Sequence, residues 1–155
     1  MTPEHRTEEE QERQNRRLIE LLNEIRVAMP GVQVLFGFLL TVPFQQRFAD
    51  ATTFQRDVYF FTLIASALAT ALFIAPIAYH RVMFGEGERP HIIRVGTHLL
   101  ILGLVALALA MNAAVLLVCD VLFGPVTVVV TVVATTSLFA WLWFGMGLVR
   151  KRRES

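Results

Sequence analysis

The stretch Val58-Tyr59-Phe60-Phe61-Thr62-Leu63-Ile64-Ala65-Ser66-Ala67-Leu68-Ala69-Thr70-Ala71-Leu72-Phe73-Ile74-Ala75-Pro76-Ile77-Ala78-Tyr79 decides the fold. It contains no charged side chain, and ten of its 22 residues are Val, Leu, Ile or Phe. Each of those ten favours insertion at mid-bilayer by about 0.3–0.6 kcal/mol, so together they favour it by roughly 3–6 kcal/mol. As a helix rising 1.5 Å per residue the segment reaches roughly 33 Å, enough for a hydrocarbon core of about 30 Å. It reads as a transmembrane helix.

Working outward, Thr97–Val118 is another charge-free run, with His98 near its start and Asn112 as its one strongly polar residue deeper inside. Val126–Val149 contains the β-branched series Val126-Thr127-Val128-Val129-Val130-Thr131-Val132-Val133, which in water would favour a strand. In lipid a lone strand leaves its backbone groups unbonded, so helix is expected. Toward the N-terminus, residues 31–48 hold Val32, Val34, Leu35, Phe36, Phe38, Leu39, Leu40 and Val42 but end in Gln45, Gln46 and Arg47. This is the weakest of the four expected spans, 31–48, 58–79, 97–118 and 126–149, because it reaches the required length only by including its polar end.

Composition agrees. The 155 residues are 55% hydrophobic and 17% charged, with a mean hydropathy of +0.55. A water-soluble domain ordinarily carries about 25% charged residues. The net charge of +1 hides a segregation, since the charges gather at the two ends and in short connections. One cysteine, Cys119, excludes an intramolecular disulfide framework and a cysteine-rich zinc site. The first apolar run begins near residue 32 behind a long charged segment, so no cleavable signal peptide is expected.

From Glu4 to about Met29 the chain is rich in Glu, Gln, Arg and Leu, with Glu8, Glu9 and Glu10 near the positive end of a helix dipole. Glu9 with Arg13 and Glu12 with Arg16 add supporting pairs four residues apart. Leu18, Leu21, Leu22, Ile25 and Met29 fall on one face. An amphipathic cytoplasmic helix over residues 1–30 is therefore expected. Its apolar face would lie on the bilayer surface, on the ends of the other helices, or on a partner. Pro30-Gly31 is expected to end it in an elbow.

Orientation follows from the basic residues. Arg6, Arg13, Arg16, Arg17 and Arg26, then Arg81, Arg89 and Arg94, then Arg150, Lys151, Arg152 and Arg153 fall on one side of four spans. Of the 14 basic residues only Arg47 and Arg56 fall on the other. The positive-inside tendency then puts both termini in the cytosol, with a basic tail at 150–155. Two small-residue stripes, Ala67-Ala71-Ala75 and Ala106-Ala110-Ala114, are expected to meet in an antiparallel hairpin. Thr127, Thr131 and Thr135 form a third stripe.

The polar candidates are few. Asn112 is expected to bridge helices, with ligand contact as the alternative. Asp120 is expected as a rim carboxylate paired with Arg47 or Arg56, with a proton or cation site as the alternative. His91, Arg94 and His98 share a helical face near His80, Arg81, Glu86 and Glu88; their spacing matches no zinc signature, so headgroup contact is expected, with metal binding or pH sensing as the alternative. The basic loop and tail are also reasonable sites for anionic lipids. No phosphate-cradling glycine loop and no nucleophile–base arrangement occurs in the sequence, so neither catalysis, a cofactor, a metal nor nucleic acid is expected.

The stretches Leu21-Leu22-Asn23-Glu24-Ile25-Arg26-Val27 and Gly31-Val32-Gln33-Val34-Leu35-Phe36-Gly37-Phe38-Leu39-Leu40, with Thr53-Phe54-Gln55-Arg56 and Ala75-Pro76-Ile77-Ala78-Tyr79-His80-Arg81, resemble an uncharacterised family of small multi-pass membrane proteins from actinobacteria. Some of its members carry a sodium/proton antiporter label. The resemblance implies a membrane location and four spans, and carries no site residues. Exchange coupled to protons needs intramembrane carboxylates and broken helices, and here Pro43 and Pro76 have no buried acid beside them. The expected fold is all-α, an integral membrane four-helix bundle preceded by the amphipathic helix. The expected role is non-enzymatic, as a multi-pass cell-membrane protein acting as an accessory subunit beside another membrane protein or as a homo-oligomer. A small oligomeric cation or proton-coupled transporter or channel is the alternative.

Overall fold

The computed structural model describes residues 3–82 and 89–145; the expected basic tail at 150–155, with Glu86 and Glu88, lies outside them. Among the described residues the long elements are all helical and no strand occurs. Helix α1 is Pro3–Thr41, α2 Thr53–Val82, α3 Arg89–Leu122 and α4 Pro125–Ala140, the last followed by a π-helical turn at Trp141–Gly145. Four stretches are long and apolar enough to cross a membrane: Ile19–Phe44, Thr53–Ala78, Arg94–Leu122 and Pro125–Trp143. Large apolar side chains stand exposed along all four, as lipid contact demands and water would penalise.

One expectation is corrected. A separate amphipathic helix ending in an elbow at Pro30-Gly31 is not supported, because α1 runs unbroken from Pro3 to Thr41 with Pro30 inside it. Proline removes one backbone bond and crowds the carbonyl four residues before it. Here its ring faces outward, while Ile25 before it and Val32 after it are both buried, so packing on either side holds the helix together. At 39 residues α1 is roughly 58 Å long, well beyond a 30 Å core, and its apolar stretch Ile19–Phe44 excludes the charged first half.

Packing divides the chain into two compact units. One comprises Met1–Phe38 with Ser66–Ala106. Within it α2 and α3 run antiparallel: a β-carbon added at Gly96 would meet Pro76 Cβ at 3.5 Å, and one at Gly103 would meet the Phe73 ring at 2.5 Å. Gly96 also faces Leu21 of α1, whose Cδ2 lies 2.8 Å from the same position, so three helices converge on one glycine. Phe73 is fully buried because Gly103 leaves room for its ring.

The other unit comprises Leu39–Ala65 with Leu107–Ser155. Leu39, Thr62, Ala65, Leu107, Ala110, Ala113 and Leu117 are buried there, together with Val128 of α4. Two 3₁₀ turns, Val42–Phe44 and Gln46–Asp50, connect α1 to α2, and Phe48 meets Tyr59 edge-on with ring centroids 5.1 Å apart.

The helix faces that pack differ in part from the expected alanine stripes. On α3, Ala106 and Ala110 are buried as expected and Ala114 is half-buried. On α2 the buried positions are Thr62, Ala65, Ser66, Ala69, Phe73 and Pro76, while Ala71 is exposed. These positions, spaced mainly three and four apart, follow one face of the helix, whereas a strict four-residue repeat drifts around it.

Candidate functional site

The polar side chains that link helices gather in the second unit, and each begins from a local rule. Thr52 caps α2: its Oγ1 accepts from the Gln55 amide at 3.2 Å, and Gln55 Oε1 accepts from the Thr52 amide at 3.1 Å. This reciprocal pair is a capping box, which satisfies donors that the first turn of a helix would otherwise leave free. The other end of the same Gln55 amide donates from Nε2 to Asp120 Oδ2 at 2.9 Å. The start of α2 is thereby fastened to the end of α3.

Tyr59, one turn further along α2, donates its hydroxyl to the Leu39 carbonyl at 3.1 Å. That carbonyl belongs to the last turn of α1, where the next turn is missing. Deeper along α3, Asn112 donates Nδ2 to the Ala108 carbonyl at 3.0 Å, and its Oδ1 accepts from Thr135 Oγ1 at 2.8 Å and Thr136 Oγ1 at 3.1 Å. Thr135 also approaches the Thr131 and Val132 carbonyls at 3.0 and 3.2 Å, so its hydroxyl is shared. No buried side-chain nitrogen or oxygen among the described residues lacks a partner. The arrangement is a set of satisfied ties.

Beside these ties a groove of about 400 Å³ opens between α2, α3 and α4. Phe61, Leu109, Ala113 and Val132 line it, with Asn112 within and the exposed Asp57 at its edge. Arg56, next to Asp57 in sequence, turns its guanidinium to the Ala49 carbonyl at 3.1 Å.

Of the residues singled out from sequence, Asn112 lies at the α3–α4 junction. Asp120 is half-buried and bonded to Gln55; Arg56, one of its expected partners, is directed at Ala49. His98 Nδ1 donates to the Arg94 carbonyl at 2.7 Å, within its own helix. The side chains of His91, His80 and Arg81 lie outside the described residues. Among the described residues no three His, Cys, Asp or Glu side chains gather as a metal would require. Sequence reading missed Gln55, although Thr52-Thr53-Phe54-Gln55 carries the capping-box signature.

Residues 7–147 match a family of unknown function, DUF6328. The chain belongs to that family. The DUF6328 match takes in all four apolar helices and every tie described above. No curated protein and no solved structure matches the chain.

Proposed function

We propose that this DUF6328 member is a non-enzymatic, multi-pass protein of the cell membrane that works by association, as a homo-oligomer or as an accessory subunit beside another membrane protein, with both termini in the cytosol. The observation that carries this reading is α4. Val128 is its one buried residue, while Val126, Val130 and Val133 are 76%, 63% and 59% exposed. Among the described residues its side-chain hydrogen bonds to another helix run through Asn112. A helix so lightly held by its own chain offers its outer face to a second chain, and bilayer helices associate through such packing.

Cation transport is the second reading, supported by the amide and hydroxyl oxygens of Asn112, Thr135 and Thr136 lying together below Asp120. It ranks lower because those oxygens already bond one another and Asp120 already has Gln55.

A photo-crosslinking residue at Val130 and another at Val128, activated in intact membranes, test the association. Val130 is expected to give a discrete band, either at twice the chain's mass or with one defined companion, and Val128 none. No protein adduct from Val130 would refute association through α4.

A further inference from the structure

The groove between α2, α3 and α4 joins an apolar floor to a single carboxylate, and that pairing is what an amphiphile with a cationic head requires. Asp57 lies about 6 Å along α2 from Thr53, at headgroup level, whereas Asn112 lies about 15 Å from the end of α3, near the middle of the span. The groove therefore runs along the membrane normal, from interface to interior. Its volume of about 400 Å³ falls within the range of small-molecule sites, roughly 300–1,000 Å³. Phe61, Leu109, Ala113 and Val132 present only carbon to it.

At the mouth, the charges select the head. Asp57 lines the groove and has no hydrogen bond or ion pair among the described residues, whereas Asp120 on α3 is held by the uncharged Gln55 amide. The nearest cation in sequence, Arg56, is directed at the Ala49 carbonyl. A bare phosphate would meet an uncompensated carboxylate there, while a primary ammonium would gain a charge-assisted hydrogen bond.

We infer that this groove holds one acyl chain of a bilayer phospholipid whose headgroup carries a primary ammonium, with the ammonium donating to the Asp57 carboxylate and the phosphate lying outward in water. The site selects the headgroup by charge and by N–H donors, so a quaternary ammonium of equal charge binds less well.

Native mass spectrometry of the purified chain tests this with phosphatidylethanolamine, phosphatidylcholine and phosphatidylglycerol of identical chains, each at the same concentration. The chain is expected to retain phosphatidylethanolamine about tenfold over the other two, the ratio that one charge-assisted bond supplies. Asp57→Asn should erase that preference and leave the unfolding midpoint in lipid-free micelles unchanged. Leu109→Trp, at an exposed position that fills the groove without touching Asp57, should lower retention of all three. Equal retention of the three lipids by the unaltered chain, or a preference unchanged in Asp57→Asn, would overturn the inference. A crosslink at Leu109 joining two chains would do so as well, because a second copy would then occupy the groove.

Discussion

Asn112 is the residue on which α4 depends for its polar attachment, yet its removal should cost little. Thr135 keeps the Thr131 carbonyl as a partner, and interhelical hydrogen bonds in bilayers are worth on average about 0.6 and at most about 1.7 kcal/mol. Asn112→Ala is therefore expected to lower stability within that range, measured by denaturant unfolding in mixed micelles, with helix content unchanged. Gly103 should be the more sensitive position. A methyl there would sit 2.5 Å from a Phe73 ring that has no exposed surface to move into, so Gly103→Ala should destabilise by about 1–3 kcal/mol. Adding Phe73→Leu should recover part of the loss, a coupling that a double-mutant cycle measures directly. Asn112 was visible in the sequence because a strongly polar residue in a charge-free run needs a partner. Gly103 was not, because a glycine in an apolar helix says nothing of the ring that will face it.

Among the elements, the later three spans were legible for one reason: each is a charge-free run long enough to cross. Before the first span a separate amphipathic helix was expected because two local signals pointed the same way. The charged, amphipathic pattern up to Met29 looked like a cytoplasmic helix of its own, and Pro30-Gly31 looked like a break. Both signals describe the exposed side of the helix. The buried side, Leu21, Ile25 and Val32, continues through the proline, and tertiary packing overrides its local preference. The α3 alanine stripe is covered as expected, but the α2 stripe is covered only in part for a related reason, since a repeat of four cannot say which face is covered, and on α2 the covered face includes Thr62, Ser66 and Phe73. Continuity of α1 has a simple consequence. Spin labels at Arg16→Cys and Phe38→Cys should lie about 33 Å apart by pulsed electron resonance if the helix is straight, and about 24 Å apart if it turns through a right angle at Pro30.

For the molecule as a whole, charge and apolar surface tell a consistent story. In the proposed topology of four crossings the two ends of the chain share one side of the bilayer with 12 of the 14 basic residues, the side that the positive-inside tendency makes cytosolic. Every buried side-chain nitrogen and oxygen among the described residues has a hydrogen-bond partner. Outward-facing apolar surface is left on every helix and α4 has the smallest buried share of the four, which supports the proposed association. The most direct test is the particle mass after extraction in native membrane discs without strong detergent. A particle holding two or more copies of the 17.5 kDa chain, or one copy with a fixed stoichiometry of another protein, is the predicted result. A single chain surrounded only by lipid would contradict it.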